Sequence, residues 1–286
     1  MISICIVTLN SRRYLYRCLE SIPKALNSLK FEIIIIDNGS IDGTSDLIEK
    51  KYPDIIYKKM NRNLGYTIPM NHAISLAKGK YILQLNPDVE LSEKSIYSLV
   101  QYMKMNKEIG ICIPRIIDGN GNFQKSSRRG IPTPWAVATY FLGLSSLLPN
   151  NKKFTQYRLE HLDENIISEL DAVSGSCMLI KSRVFKDIGK LDEKFFAYQE
   201  DSDFCLRAKK ASWKIMYNPK HTITHYTGKG GSNSYPMKKM LEWHRSYYYF
   251  YKKHLSKNYS ILFNLFYSLV MIMKMVLSTF LYFVKK

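Results

Sequence analysis

The sequence predicts an α/β protein in which helices flank a mostly parallel sheet. Three observations predict this fold class. Short β-branched runs alternate with longer amphipathic stretches from residue 1 to about residue 115. The short runs are almost continuously apolar, as in strands buried on both faces. The chain has 286 residues, 46% of them hydrophobic, which is enough for one large domain or two small ones and excludes a disordered chain.

Five strands and four helices are predicted in the first 116 residues. The strands are predicted at 2–9, 31–37, 54–59, 81–86 and 109–116, and the helices at 12–29, 44–51, 67–78 and 92–106. Their alternation indicates parallel strands joined by helical crossovers, which is a doubly wound, Rossmann-like arrangement. Ligands of such sheets bind outside the carboxyl ends of the strands.

Loops rich in Asp, Asn and Gly follow four of these strands, at 8–10, 37–40, 61–65 and 86–88. Ordinary turn chemistry explains any one of them. Four such loops at one edge of a sheet favour a binding site.

The second half of the chain contains fewer regular elements. Residues 117–134 form a loop with a DGNG hairpin signal. The apolar run 135–148 is too short to span a bilayer and predicts a core or lid helix, with a membrane-dipping helix as the alternative. Strands are predicted at 171–181 and 213–219, and a helix rich in Tyr and basic residues at 236–255.

The net charge limits the classes of binding partner, and the cysteine content indicates the redox compartment. The 42 Lys+Arg against 24 Asp+Glu give a net charge of +18, which calls for nucleic acid, an anionic membrane or a phosphorylated small molecule. Five scattered cysteines support neither a disulfide framework nor a structural zinc site and indicate a reducing cytosol. The run at 2–9 is unlike a signal peptide.

An acidic cluster follows the aromatic residues of LDEKFFAYQEDSDFCLR, at 191–207. If a helix starts near Gln199, Asp203 and Arg207 form a stabilising i,i+4 pair. Glu200 and Asp201 would point about 100° apart, so that one faces a cleft while the scaffold braces the other. A carboxyl group among aromatics and other acids has a raised pKa, which suits a general base.

A second acidic site, LNPDVE at 85–90, follows the fourth predicted strand. Pro87 ends the strand ladder and leaves Asp88 at the edge of the sheet. One carboxylate together with a diphosphate commonly holds Mg²⁺ or Mn²⁺. The alternative role for Asp88 is to cap the next helix.

Several motifs occur together in a fixed order. They are IVTLN (6–10), DNGSIDGT (37–44), Asn63 and Gly65 of NxGY with the later Asn71, LNPD (85–88), VSGSCMLIK (173–181), FFAYQEDSDFCLR (195–207) and THYTGKGGS (224–232). In this combination the sequence resembles the family-two glycosyltransferases of the GT-A fold, in the rhamnosyltransferase-like branch. The resemblance runs from residue 1 to about residue 255.

The resemblance implies a metal-dependent, inverting hexosyltransferase. The donor-binding residues it implies are Thr8, Asn10 and Asp37 on the base and ribose, Asn38, Gly65, Asn71 and Asn86 in the same pocket, and Ser174 and Gly175 beside the sugar. Asp88 would bind Mg²⁺ or Mn²⁺, with His225 as a distant second ligand. Asp201 would deprotonate the acceptor hydroxyl beside Glu200. The sequence departs from the family's DxD pattern at Asn86, so that metal affinity would depend on Asp88 and the phosphates.

Without the resemblance, His225 alone would be an ordinary core or surface histidine. His221 and His225 are four residues apart, but if the segment after Pro219 is strand-like they do not share a helix face, so a two-histidine zinc site is not expected. Arg128 and Arg129, or Lys229, are candidates to clamp phosphate from a loop.

The segment 236–286 carries nine Lys+Arg and one acid, a net charge of +8. Its apolar run 261–284 is long enough to span a bilayer, but Lys274 in the middle costs about 2.5 to 3.5 kcal/mol on insertion. A helical projection places the polar residues on one stripe: Ser260, Asn264, Tyr267, Ser268, Lys274, Ser278, Tyr282 and Lys285. This pattern predicts a helix in the plane of an anionic membrane surface. A bilayer span and a dimerising or core helix are the alternatives.

Three regions are therefore predicted: a nucleotide-sugar-binding half (1–115), an acceptor and catalytic half of the same domain (116–235) and a membrane-associated helical tail (236–286). The predicted function is transfer of a sugar, rhamnose from dTDP-rhamnose in the first place, to a polyprenyl-diphosphate-linked saccharide. This reaction would serve surface polysaccharide synthesis in the cytoplasm, at the inner face of the plasma membrane.

A galactosyl or glucosyl transferase of the same fold is an alternative. Another alternative from a different class is a protein that binds single-stranded nucleic acid through the aromatic and basic stretch 245–257. Because the acidic loops would repel phosphate, we expect no nucleic-acid partner.

Overall fold

The computed structural model describes residues 1–229 and 235–284. Its first half contains, in order, β1 (Ile2–Thr8), α1 (Arg12–Leu26), β2 (Phe31–Asp37), α2 (Thr44–Lys51), β3 (Ile56–Lys59), α3 (Thr67–Leu76), β4 (Tyr81–Leu85), β5 (Val89–Glu90), α4 (Ser95–Met105) and β6 (Ile109–Ile117). The predicted elements are all present, and only the short β5 was not expected. The left-handed backbone at Asn27 (φ 53°) ends α1 before its predicted end, and that at Lys94 (φ 56°) delays the start of α4.

The second half contains β7 (Arg128–Arg129), α5 (Pro134–Phe141), α6 (Leu144–Leu147), β8 (Ser168–Glu169), β9 (Ala172–Val173), β10 (Cys177–Lys181), α7 (Ser182–Ile188), α8 (Glu200–Lys210), β11 (Lys214–His225), α9 (Pro236–His254) and α10 (Ile261–Val284). The predicted hairpin is confirmed by the antiparallel bridge between Ile117 and Phe123.

Three elements differ in the structure from those predicted. The strand at 171–181 is two strands, β9 and β10, because residues 174–176 leave the ladder as a loop. The apolar run 135–148 is two helices that break at Gly143 (φ 76°). The strand expected to end at Pro219 continues to His225, with a shift in register between Asn218 and Thr222 that accommodates the missing N–H of the proline.

The main sheet has nine strands in the order β3-β2-β1-β4-β10-β6-β11-β5, and β8 pairs with β11. The ladders of β1 with β2 and β4, of β2 with β3, and of β6 with β11 are parallel. The antiparallel strand β10 lies between β4 and β6 and joins the two parallel parts. A mostly parallel sheet flanked by helices is therefore confirmed, and its carboxyl edge carries the polar loops.

Helices cover both faces of the sheet and make two apolar cores. On one face, Leu15 and Ile22 of α1 pack with Leu99 of α4 against the strands. On the other, Met70 of α3 and Phe204 of α8 are fully buried.

A third core is mainly aromatic and joins α5, α9 and α10 to the loop that precedes α8. Its buried members include Tyr157, Phe195, Tyr247, Phe250, Tyr251 and Tyr267. Because Tyr247, Phe250 and Tyr251 are at most 5% exposed, these rings cannot stack on bases. The burial of these rings argues against the hypothesis that the stretch 245–257 binds single-stranded nucleic acid.

The helix α10 runs antiparallel to α9 and turns its polar stripe toward it. Ser268 lies 3.0 Å from the hydroxyl of Tyr248, and Ser278 lies 3.4 Å from His244. The predicted polar stripe is present in the described residues of α10, and it faces α9. Lys285 and residues 230–232 of the motif at 224–232 lie outside the described residues.

Candidate active site at the carboxyl edge of the sheet

A cavity of about 600 Å³ opens at the carboxyl edge of the sheet. Ten of the thirteen residues predicted to bind the donor, hold the metal or take part in catalysis line it: Thr8, Asn38, Gly65, Asn86, Asp88, Ser174, Gly175, Glu200, Asp201 and His225. They come from strand ends in the first half of the chain and from the loops and helix start of the second. Residues far apart in the sequence thus meet in one space large enough for a small-molecule ligand.

Asn10, Asp37 and Asn71 do not line this cavity. Asp37 is buried beneath the edge and accepts hydrogen bonds from the N–H groups of Gly39 and Ser40 and from the Tyr57 hydroxyl. Asn10 borders a separate groove and accepts the N–H of Ile41. For Asp37 and Asn10 a direct donor contact stays a prediction.

The placement of Asn71 in the pocket wall is corrected by the structure. Its amide group donates to the carbonyl of Leu191 at 2.9 Å and to Glu193 at 3.0 Å, and it accepts the N–H of Leu191. Asn71 therefore ties α3 to the loop that leads to α8, and its side chain is consumed by that role.

Asp88 and His225 face each other across the edge of the sheet, where β5 pairs with β11. Asp88 Oδ1 lies 3.2 Å from His225 Nε2, and Asp88 Oδ2 accepts the backbone N–H of Lys229 at 2.9 Å. Burial alone would raise the pKa of Asp88, but its hydrogen bond with His225, the charge of that ring and the N–H of Lys229 together lower it.

This pair fits a divalent cation. Gln124 Oε1, an acceptor, lies 3.0 Å from His225 Nδ1, so Nδ1 carries a hydrogen, and Nε2, which faces Asp88, would have to give up its own hydrogen to bind a metal. A hydrogen-bonded Nδ1–H is the usual support of a histidine that binds a metal through Nε2. No cluster of three or more His, Cys, Asp or Glu ligands occurs in residues 1–229 and 235–284. The remaining ligands would have to come from a bound diphosphate and water.

Asp201 lies at the start of α8 and is held by four donors. Arg129 Nη1 lies 2.9 Å from each oxygen of its carboxylate. The N–H groups of Gly175 and Ser202 donate to it at 3.1 and 2.8 Å, and the Ser202 hydroxyl at 3.3 Å. The carboxylate is 7% exposed and the Arg129 side chain 19%. Its orientation is thus fixed in the wall of the cavity.

Glu200 lies beside Asp201 but is differently surrounded. Burial, followed by the charge of Asp201, raises the pKa of Glu200 to about 8. Its Oε2 has no hydrogen-bond partner among the described residues. The raised pKa that the sequence predicts for this acidic pair is therefore found at Glu200, and its protonated form can donate a hydrogen bond into the cavity.

The turn before α8 places both acids on the cavity. Tyr198 (φ 69°) and Gln199 (φ 63°) are consecutive non-glycine residues in the left-handed region. Each such residue costs on the order of 1 kcal/mol, and this kind of strain is concentrated at functional sites. The turn also brings the carbonyl of Phe196 against Gly65, where a Cβ atom would lie only 2.3 Å from that oxygen.

Asp203 does not line the cavity and has a structural role, as the i,i+4 pattern predicts. Its oxygens lie 2.8 Å from Arg207, 2.6 Å from Lys253 and 2.6 Å from His254. Burial would raise its pKa, but these partners outweigh burial and lower the pKa to about 2. Asp203 thereby links α8 to α9.

Sequence reasoning missed the side of the cavity that faces α5 and α9. The residues on this helix side are Tyr140, Phe141, Tyr157, Arg158, Lys238, Lys239, Glu242, Trp243 and Tyr247. The signal that could have found them is the spacing of Lys239, Trp243 and Tyr247, four residues apart on one face of a helix. What they face depends on how α9 packs.

The two arginines of the loop before α5 have different positions. Arg128 donates to the carbonyls of Leu162 and Asp163, and its guanidinium lies over the rings of Phe123 and Tyr217. It is 3% exposed, so a phosphate clamp at Arg128 is wrong. Arg129 reaches the cavity but pairs with Asp201.

Residues 3–189 match the protein family described as Glycosyl transferase family 2. A relative from Mycobacterium tuberculosis, named N-acetylglucosaminyl-diphospho-decaprenol L-rhamnosyltransferase, is 28% identical over 255 residues, which are 85% of this chain and 81% of the relative. Rhamnosyltransferase WbbL of Escherichia coli is 26% identical over 187 residues, with 63% of this chain and 67% of WbbL covered.

Two solved structures share the fold. The first is Staphylococcus aureus TarS 1-349 in complex with UDP-GlcNAc, with a TM-score of 0.56, 18% identity and coverage of 87% of this chain and 66% of that chain. The second is mannosyltransferase PcManGT from Pyrobaculum calidifontis with GDP-Man and Mn²⁺, with a TM-score of 0.58, 12% identity and coverage of 86% and 62%. This chain spans just under two thirds of each of those chains.

Proposed function

We propose, from the premise that this chain belongs to glycosyl transferase family 2, that it is an inverting glycosyltransferase which uses a nucleotide-diphosphate sugar. One observation carries the proposal. A single cavity contains the Asp88–His225 pair, which suits a metal-bound diphosphate, and the carboxylate of Asp201, which suits a base. The Asp88–His225 pair and the Asp201 carboxylate come from different parts of the fold, as a reaction between a donor and a separate acceptor requires.

The reaction is a single displacement at the anomeric carbon of the donor sugar. An acceptor hydroxyl oxygen forms the new bond to that carbon as the bond to the diphosphate oxygen breaks, and the bond's electron pair leaves with the diphosphate. The proton of the hydroxyl passes to Asp201, whose orientation is fixed by Arg129 and by the N–H of Gly175. Attack from the face opposite the leaving group inverts the configuration.

Asp88 and His225 would hold Mg²⁺ or Mn²⁺ together with the diphosphate. When bound, the cation supplies positive charge against the negative charge of the leaving diphosphate. Protonated Glu200 adds no negative charge to this side of the cavity and can donate a hydrogen bond to a sugar or acceptor oxygen.

Rhamnose from dTDP-rhamnose is the proposed donor sugar, with galactosyl or glucosyl donors as the alternatives. The names of the mycobacterial relative and of WbbL support rhamnose. The mycobacterial name also supports a polyprenyl-diphosphate-linked saccharide as the acceptor, and thus a role in surface polysaccharide synthesis.

The protein is proposed to act at the cytoplasmic face of the membrane, with α10 lying in the interface. The helix is apolar enough to span, with a mean hydropathy of 1.9 over its most apolar window, but its polar stripe is bonded to α9. Spanning would draw the charged α9 into the bilayer or break these contacts. The exposed side of α10 is apolar, with Leu269 56% and Phe280 62% exposed.

The proposed activity is tested by exchanging Asp201 for Asn. The wild-type protein is first screened for stabilisation by nucleotide sugars with Mg²⁺ or Mn²⁺. With a stabilising donor, Asp201→Asn should lower kcat by about 10²- to 10⁴-fold, as expected for loss of a general base. Asp54→Asn, at an exposed carboxylate, should leave kcat unchanged. Normal transfer by Asp201→Asn contradicts the proposal.

A further inference from the structure

The helix side of the cavity carries an excess of cations. The side built by strand ends and the start of α8 holds Asp88, Glu200 in its protonated form, and Asp201, which is paired with Arg129. The helix side, built by α5, residues 157–158 and α9, holds Arg158, Lys238 and Lys239 and a single acid, Glu242. That acid lies 3.5 Å from Arg245. The helix side is therefore suited to an anion that is distinct from the metal-bound one.

The cations on this side rest on aromatic rings. Lys238 Nζ lies 4.1 Å from the centroid of the Phe196 ring, and the guanidinium of Arg158 lies 5.0 Å from that of Tyr157. Neither cation forms an ion pair with a carboxylate among residues 1–229 and 235–284. Cations held by rings keep most of their charge available to a ligand, because a ring neutralises none of it.

A third cation reaches the same wall from α10. Lys274 Nζ lies 3.7 Å from the centroid of Phe141 and 4.0 Å from that of Trp243, and both rings line the cavity. Lys274 also forms no ion pair with the carboxylates of the described residues. This explains why a lysine interrupts an apolar helix: its amine is directed to the cavity wall and away from lipid.

The apolar surface continues from this wall to the outside. Phe141 is 49% exposed and the neighbouring Leu142 72%. The side of α10 that faces away from the protein is apolar along the helix, with Leu269, Met273, Val276 and Phe280 exposed. A ligand that is anionic at one end and apolar at the other would satisfy both features.

We propose that the helix side of the cavity is the subsite for the diphosphate of a prenyl-diphosphate-linked acceptor. Arg158 and Lys238 bind the diphosphate, and Lys274, whose amine packs on the rings of Phe141 and Trp243, adds positive charge to the same wall. The prenyl chain passes Phe141 onto the apolar side of α10 and into the bilayer. The proposal rests on the proposed function, since it assigns the second substrate of that reaction to residues. It also gives α10 a part in substrate binding in addition to membrane attachment.

The test is a titration of the full chain with farnesyl diphosphate, a prenyl diphosphate without sugar, followed by tryptophan fluorescence. Trp243 lies in the wall, so binding should change its emission, and Trp243→Phe should remove that change. Farnesol and inorganic diphosphate should each bind at least about tenfold more weakly, because each lacks one of the two interactions.

Variants identify the cations. Lys238→Met and Lys274→Met should each weaken farnesyl diphosphate binding about tenfold, because each removes one positive charge from the wall that holds the diphosphate. Lys274→Arg should retain most of the affinity. Lys252→Met is the matched control, because Lys252 is exposed on α9 and does not line the cavity, and its affinity should equal that of the wild type.

Three results would overturn the proposal. Equal binding of farnesol would show that the diphosphate is not recognised. An equal loss in Lys252→Met would show that only general positive charge matters. Loss of binding in Asp88→Asn would place the diphosphate on the metal side of the cavity. The titration needs no sugar transfer, so failure here with nucleotide sugars still stabilising the protein would leave the proposed function standing.

Discussion

Replacing Arg129 by Met removes the cation that faces the proposed base. In the wild type one nitrogen of Arg129 lies 2.9 Å from both oxygens of Asp201, in a pair that is 19% and 7% exposed. Removing one partner of a buried ion pair costs about 3 to 5 kcal/mol. Because three other donors, on Gly175 and Ser202, still hold Asp201, we expect the lower end of this range, about 3 kcal/mol.

The measurement is the free energy of unfolding from urea titration, with a double-mutant cycle. Arg129→Met should lower the free energy of unfolding by about 3 kcal/mol. Asp201→Asn should lose less stability than Arg129→Met. The double variant Arg129→Met with Asp201→Asn should be at least about 1 kcal/mol more stable than the two single losses predict by addition, because no charge is then left unpaired. Both single variants should lose transfer activity, since one loses the base and the other its orientation.

Two results would show that Arg129 and Asp201 are not coupled. If Arg129→Met is as stable as the wild type, or if the two single effects add with no coupling, the pair contributes nothing to the fold. If Arg129→Met also keeps full activity, Arg129 does not orient Asp201. Arg129→Lys serves as the matched variant, because it keeps a charge but shortens the reach to the carboxylate.

Three further predictions concern single residues of the cavity. The folded-state pKa of Glu200 is raised from 4.5 to about 8, so the free energy of unfolding of the wild type should fall by up to about 1.4 kcal/mol per pH unit as the pH rises between these two values. Glu200→Gln should flatten this slope in urea titrations, and an unchanged slope would contradict the assignment of the raised pKa to Glu200. Gly65→Ala places a Cβ atom 2.3 Å from a backbone oxygen and should lower the free energy of unfolding by more than about 2 kcal/mol. Gly121→Ala, at a similar φ but in open space, should lower it by about 1 kcal/mol, and equal losses would show that the close approach at Gly65 does not matter. Asp88→Asn should abolish the Mg²⁺- or Mn²⁺-dependent part of the thermal stabilisation by a nucleotide sugar, and a metal response that persists would show that the cation is held elsewhere.

One prediction tests membrane attachment. Leu269→Asp should weaken binding to anionic vesicles in co-sedimentation, because a charge then faces lipid from a position that is 56% exposed. Ile41→Asp, at an apolar position that is 91% exposed on another part of the fold, should bind as the wild type does. Equal binding by both variants, or no vesicle binding by the wild type, contradicts attachment through α10.

The first half of the fold could be predicted from the sequence because its signals are local. A buried parallel strand such as Phe31–Asp37 needs a continuous apolar run, and a crossover helix such as Thr44–Lys51 needs an amphipathic period, so both can be read within ten residues. The second half contains strands of two residues and loops whose shape depends on distant contacts. Gly175 illustrates this: residues 174–176 leave the strand ladder, and the N–H of Gly175 donates to Asp201.

The sequence by itself determined the fold class and the order of the motifs, and the family resemblance of those motifs indicated ten residues that share one cavity. The strand ends among them could be expected to meet, because the ends of parallel strands lie at one edge of the sheet. Only the tertiary structure decided that Asn71 braces a loop, that Arg129 pairs with Asp201 and that the raised pKa belongs to Glu200. It also decided that α10 turns Lys274 toward the cavity. These contacts join residues far apart along the chain, 72 positions for Arg129 and Asp201 and 120 for Asn71 and Leu191, and no local pattern records them.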